Sequence, residues 1–192
     1  SNGGTVSVSG VGGVTMSADI NVFNGYNGAL YYGTNGTITI SDGNASSSSG
    51  GGSGVNDGQV SGLLKCGDFI KSGSGVFIIK GGNAYTGNTS VSAGVLRLGL
   101  SNSIPTTSAL SVAGTLDMGS YNQTVLTLSG SGLITSSGSG ALLLTVSDGG
   151  SGSTTYSGVI ENGSASSVGL TKTGSGTLTL SGSSTYTGAT LI

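Results

Sequence analysis

Residues 70–91 read IKSGSGVFIIKGGNAYTGNTSV, and residues 171–192 read TKTGSGTLTLSGSSTYTGATLI. The two align without a gap at an offset of 101 residues. Each carries Lys-x-Gly-Ser-Gly, a short alternating run, and then x-Gly-x-x-x-Tyr-Thr-Gly-x-Thr. Apolar positions coincide as well, Phe77 and Ile79 falling against Leu178 and Leu180. A weaker echo matches Gly114-Thr115-Leu116-Asp117-Met118 to Gly94-Val95-Leu96-Arg97-Leu98. A repeated strand and turn of this size cannot bury an apolar face alone. Stacking successive copies gives them one continuous interior.

Outward from these copies the same texture continues. Thr5-Val6-Ser7-Val8, Thr37-Ile38-Thr39-Ile40 and Val125-Leu126-Thr127-Leu128 alternate apolar with hydroxyl-bearing residues. Side chains on a strand alternate faces, so each run turns an apolar stripe one way and Ser or Thr the other. Gly-rich punctuation follows each run, and a Gly every few positions costs a helix about 1 kcal/mol each. No substantial helix is expected. The class is all-β. Asn-Gly and Asp-Gly pairs such as Asn35-Gly36 and Asp42-Gly43 keep a hairpin-built sandwich or barrel open as an alternative. The fixed order of strand, turn and further strand favours a parallel β-helix, a β-solenoid whose coils revisit the same faces. Windings of roughly 22 residues would give about eight or nine of them, and a rod about 40 Å long. The whole chain, 1–192, reads as one such domain, with the Ser/Gly-rich stretch 43–58 as a loop leaving one coil.

Composition excludes several functions. Gly, Ser and Thr make up more than half of the 192 residues, charged residues are 6%, and the net charge is −2. Five basic residues (Lys65, Lys71, Lys80, Arg97, Lys172) cannot supply the phosphate contacts of nucleic-acid binding. The longest apolar run, Ala141 to Leu144, is strand-sized, so no transmembrane segment is expected. The single cysteine, Cys66, reads as a small buried hydrophobe. With no histidine, a serine nucleophile has no usual general base. Glu161 and the six aspartates mostly adjoin Gly or Ser, where carboxylates cap turns. No catalytic residue, cofactor site or metal site is expected, and the chain is read as no enzyme.

Weaker signals have bland readings. Gly51 to Asp57 is similar to a calcium-binding nonapeptide but occurs once, with Asn56 where an Asp is needed. Thr-x-Thr pairs (Thr37/Thr39, Thr171/Thr173, Thr177/Thr179) are too irregular for an ice-binding array. Tyr85 and Tyr186, equivalent in the repeat, are expected to pack over a corner rather than stack on sugars. The Asn-x-Ser/Thr sequons at Asn35, Asn44, Asn88, Asn122 and Asn162 follow from composition.

The run from Leu170 to Gly182, continued by Ser184-Thr185-Tyr186-Thr187-Gly188-Ala189-Thr190, resembles the autotransporter-associated β-strand repeat of bacterial passenger domains. Gly114 to Met118, Tyr121 to Val125 and Tyr156 to Ile160 resemble it too. The likeness covers residues 90–192 well, 60–90 in a degenerate form and 1–59 loosely. It implies an exported, right-handed parallel β-helix at the bacterial surface, acting as adhesin, stalk or matrix component. Glycans or host and cell surfaces are then possible partners.

The two ends complement each other. In the inner copy the chain continues Ser92-Ala93-Gly94 into Val95-Leu96-Arg97-Leu98. Set after Ile192, Ser1 falls opposite Ser92 and Gly3 opposite Gly94, and the strands then agree with one residue inserted. Strand addition of this kind gives an expected self-assembly interface of Gly3, Thr5, Val6 and Val8 with Thr190, Leu191 and Ile192. The chain is accordingly expected to join head to tail into filaments or a tandem array.

Overall fold

In the computed structural model, the described residues are 5–10, 15–16, 20–21, 37–42, 58–60, 64–80, 82–148, 150 and 152–192. Side chains are described from 37–40 and 64 onwards, except Lys65. The expected loop 43–58 lies outside these residues apart from Gly58, which opens a strand.

Strands follow the expected alternation. The first windings contain β1 (Thr5–Gly10), β2 (Thr15–Met16), β3 (Ile20–Asn21), β4 (Thr37–Asp42), β5 (Gly58–Val60) and β6 (Leu64–Lys65). Next come β7 (Asp68–Ser72), β8 (Val76–Ile79), β9 (Thr89–Val91), β10 (Val95–Leu98), β11 (Ala109–Val112) and β12 (Thr115–Asp117). The last part has β13 (Gln123–Val125), β14 (Thr127–Gly130), β15 (Leu133–Thr135), β16 (Ala141–Val146) and β17 (Ser153–Tyr156). It closes with β18 (Val159–Ile160), β19 (Ser167–Lys172), β20 (Thr177–Leu180) and β21 (Thr190–Leu191).

These strands stack into three faces of a parallel β-helix. The first face is an eight-stranded sheet in the order β1-β4-β7-β9-β11-β14-β17-β20. The second is seven-stranded, from β2 through β5, β8, β10, β12 and β15 to β18. The third begins with β3-β6 and ends with β13-β16-β19-β21. All described pairings are parallel, so the hairpin alternative falls. Successive windings from β7 onward are offset by 18 to 26 residues, bracketing the expected 22. Eight strands at about 4.8 Å spacing make a stack about 34 Å long. That is shorter than expected because the first two windings take 32 and 31 residues.

Inward positions form columns in register. Ile38, Phe69, Thr89, Leu110 and Leu128 stack on the first face, and Phe77, Leu96, Leu116, Ile134 and Ile160 on the second. All of them are buried. Each buried Leu, Ile or Phe side chain contributes roughly 1.5–3 kcal/mol. The weak echo noted in the sequence is a direct stack, with Val95 on Thr115, Leu96 on Leu116 and Arg97 on Asp117.

The strong repeat behaves differently. β7, β8 and β9 lie on the first, second and first faces, whereas their counterparts β19, β20 and β21 lie on the third, first and third. The copies are therefore four and two-thirds windings apart, and the same motif sits on different sides of the prism.

Candidate functional site

Three devices hold one winding to the next. The first is a glycine column at the corner between first and second faces, comprising Gly94, Gly114, Gly132, Gly158 and Gly182. A Cβ on each would run into backbone carbonyl oxygen of the winding below: Gly73 under Gly94, then Gly94, Gly114, Gly132 and Gly158 in turn. The chains approach too closely there for a side chain.

The second device is a buried lysine. Lys71 occupies an inward position, in register with Ile40 and Val91, and is fully buried. Its ammonium bends to the corner and donates to the carbonyls of Ser72 (2.7 Å), Gly73 (2.9 Å) and, from the winding above, Ala93 (3.4 Å). Lys172, its counterpart, donates to Thr173 (2.7 Å) and Gly174 (3.3 Å). Its ammonium also lies 3.8 Å from Asp148, whose Oδ2 is buried and accepts no hydrogen bond.

Amide side chains are the third device: Asn83, Asn102 and Gln123 act where the third-face ladder is interrupted between β6 and β13, and Asn122 and Asn162 act beside its continuous part. Asn83 accepts from the Leu64 amide (2.9 Å) and donates to the Ser103 carbonyl (2.7 Å). Gln123 accepts from the Ile104 amide (3.2 Å) and donates back to the Ile104 carbonyl (2.8 Å). Asn102 and Asn122 accept from Thr124 and Leu143, both at 2.8 Å. Asn162 accepts from Val168 and Thr187. In the sequence, Asn122 and Asn162 stand out only as sequons that follow from composition, and Asn83, Asn102 and Gln123 carry no local motif. The usable signal was the spacing of Asn83, Asn102 and Asn122, which equals one winding.

The titratable groups serve the same scaffold. Asp117 accepts from Arg97 Nε (2.7 Å), from the Gly119 amide (2.9 Å) and from the Ser137 amide (2.8 Å). Burial alone would raise its carboxyl, but these donors outweigh it and hold the group below its ordinary value. Cys66 is buried, and desolvation pushes its thiol up to about 12; a hydrogen bond from the Ile38 backbone opposes this and the Asp68 charge adds to it. Tyr85 lies in the core rather than over a corner. Its ring stacks on Phe69 at 5.9 Å, and its hydroxyl bonds Thr89 Oγ1 at 2.7 Å. Tyr186 repeats the bond to Thr190 Oγ1 at 2.8 Å. Burial raises the Tyr85 phenol strongly.

Of the pairs considered for ice binding, Thr37/Thr39 and Thr177/Thr179 share the eight-stranded face, while Thr171 belongs to the third. Thr177 and Thr179 stack on Ser153 and Thr155, but Asp68, Ile70 and Ala109 interrupt the columns below. The nonapeptide-like stretch 51–57 lies outside the described residues. Among the described residues, no three His, Cys, Asp or Glu side chains gather to hold a metal ion.

The expected assembly residues sit at the edges. β1, with Thr5, Val6 and Val8, is one edge of the eight-stranded sheet, and Val6 and Val8 are in register with buried Ile38 and Ile40. Gly3 lies outside the described residues. β21, with Thr190 and Leu191, is the edge of the third face, and Leu191 and Ile192 are exposed. The opposite edge of the first sheet is β20.

With this geometry in place, a family model decides the affiliation: the passenger-associated-transport repeat matches residues 69–98 and 170–192. The chain carries autotransporter passenger repeats over these residues. The matched segments are the two copies of the internal motif, each bearing a buried lysine corner. A relative is an autotransporter, adhesin BmaC of Brucella suis biovar 1 (strain 1330), 34% identical over 168 residues and 81% of this chain. The chain spans only 5% of that relative's length. No solved structure matches it. Passenger repeats mark the chain as an exported, cell-surface protein. No helix among the described residues is long and apolar enough to cross a membrane.

Proposed function

We propose that this chain is a non-enzymatic segment of a surface adhesin, a rod that carries adhesive contacts away from the cell. The observation that carries this reading is the uninterrupted eight-strand parallel stack over one core. Such a stack resists bending and presents uncharged, hydroxyl-rich outer positions such as Thr127, Ser129, Ser153, Thr155, Thr177 and Thr179. The named adhesin relative supports it. The partner class is a host or cell-surface molecule, glycans included. Beads coated with the purified chain, compared with beads coated with the unfolded chain, should be retained on host cells, matrix proteins or a glycan array. Equal retention of both coatings on every surface rejects adhesion and leaves a passive stalk.

A second reading, head-to-tail assembly into a filament, stalk or biofilm matrix, is favoured by one observation. Thr5-Val6-Ser7-Val8 of β1 and Thr177-Leu178-Thr179-Leu180 of β20 lie in the same sheet and alternate in phase. Electron microscopy of the concentrated chain tests it, uniform fibres being the expected result and dispersed single particles the contrary one.

A further inference from the structure

A second residue pattern accompanies each copy of the lysine motif. In the winding below Lys71 the chain reads Thr39-Ile40-Ser41-Asp42-Gly43, and in the winding below Lys172 it reads Thr145-Val146-Ser147-Asp148-Gly149. Ile40 is in register with Lys71 and Val146 with Lys172. In both copies an aspartate therefore comes two residues after the lysine's register partner, under the first glycine of Lys-x-Gly-Ser-Gly. The chain has only seven acidic and five basic residues, so a repeated acid-under-base corner is a pattern rather than background.

At the Lys172 copy the two side chains meet in the interior, 8% and 6% exposed. The motif's own glycines make room for the acid. A Cβ on Gly174 would run into the Asp148 carbonyl oxygen, and one on Gly176 into Asp148 Oδ2. The ammonium donates to the Thr173 and Gly174 carbonyls and stands 3.8 Å from Oδ2, beyond hydrogen-bond length. Oδ2 accepts no hydrogen bond, while Oδ1 accepts the Gly150 amide at 3.3 Å. A buried ion pair held apart in this way keeps its desolvation cost without a full hydrogen bond to offset it. Joining the two groups removes both charges.

We propose that Lys172 and Asp148 form an intramolecular isopeptide bond, a covalent staple between successive windings. The Lys172 ammonium passes one proton to Asp148 Oδ2, and the freed nitrogen lone pair bonds Asp148 Cγ. The Cγ–Oδ2 bond then breaks, and Oδ2 leaves as water with the proton it received and a second one from the nitrogen. One cation and one anion become a neutral amide, and no oxidant, cofactor or other reactant enters. The fold holds the two groups together at high effective concentration. The Gly150 amide lies on the oxygen that carries negative charge when the nitrogen adds. The staple ties β16 to β19 at their shared corner, so the coil cannot unwind there under load. It stands independently of whether the rod is adhesive.

The test is mass spectrometry of the folded chain after tryptic digestion. Trypsin cuts after Lys and Arg, so an unlinked chain releases residues 98–172, whereas a linked Lys172 is not cut and the fragment runs 98–192. That longer fragment should be lighter than its sequence by about 18 Da, one water. Fragmentation should place the loss on Asp148 joined to Lys172. Lys172→Arg, which keeps the charge but cannot form this bond, should restore the full mass, and the same loss in that variant overturns the proposal. Full mass in the parent, shown folded by circular dichroism, also overturns it and leaves a plain buried ion pair. Water lost while cleavage after Lys172 persists means a succinimide at Asp148-Gly149, which overturns it equally. The parent measurement does not depend on any variant folding, and the bead assay reports on adhesion separately.

Discussion

Replacing Gly114 by alanine probes the closeness of the windings directly. A Cβ at that position would lie 2.7 Å from the Gly94 carbonyl oxygen, 2.9 Å from the Ala93 carbonyl carbon and 3.0 Å from Ala93 Cα. All three are backbone atoms, so no side chain can swing away. Ordinary contact begins near 3.4 Å, which requires a local separation of about 0.7 Å between windings spaced about 4.8 Å. The same Gly94 oxygen accepts the Thr115 amide at 2.8 Å, and Gly114 N donates to Val91 at 2.9 Å. Separation therefore stretches the ladder where it is anchored. Overpacking of this kind costs about 1–3 kcal/mol. The control is Gly82→Ala, where a Cβ meets nothing within 4 Å. There the stiffer unfolded chain should stabilise the fold by about 0.4–1 kcal/mol. Urea titrations followed by circular dichroism should separate the two midpoints in opposite directions from the parent. If Gly114→Ala unfolds at or above the midpoint of Gly82→Ala, the close-contact argument is wrong.

Other outcomes are expected. Asn83→Leu leaves the Leu64 amide and the Ser103 carbonyl without their bridge and should cost about 2–4 kcal/mol in the same titration. Cys66, at about 12 against an ordinary 9.0, should react with a thiol reagent about a thousandfold more slowly than the unfolded chain at equal pH. Asp117 is depressed in the folded state, so its stabilisation is present above the ordinary value of 3.8 and lost as pH falls through the lower folded value. Acid titration of the parent and of Asp117→Asn should show a smaller stability loss in the variant over that range. The variant should also be about 1–2 kcal/mol less stable at neutral pH.

Much of this architecture was legible in particular residues. Alternating Thr-Leu-Thr-Leu and its relatives predicted strands, and the repeat at an offset of 101 residues favoured stacking over hairpins, because a short apolar stripe needs neighbouring copies to leave water. The turns read correctly for the same reason, since only glycine fits where carbonyls of adjacent windings nearly touch. Harder to see was what sits inside. Lys71 and Lys172 occupy columns in which their direct neighbours are Ile40, Val91 and Val146, and a charged residue at an inward position contradicts the simple pattern. It is tolerated because the long stem lies in the core while the ammonium reaches corner carbonyls. The amide bridges were hidden because they act between windings about 20 residues apart, where local patterning is blind. Tyr85 was misplaced because its bond to Thr89, also inside, removes the need for water.

The offset of four and two-thirds windings between the two motif copies carries a consequence for how such chains grow. The same corner and lysine serve on the first face in one copy and on the third in the other, so the motif is not tied to one side of the prism. A duplication need not add whole turns: a single strand with its corner is already a legal unit of insertion. It rotates everything downstream by a third of a revolution without disturbing the interior. Length and the compass bearing of outward loops can therefore be varied separately in this design.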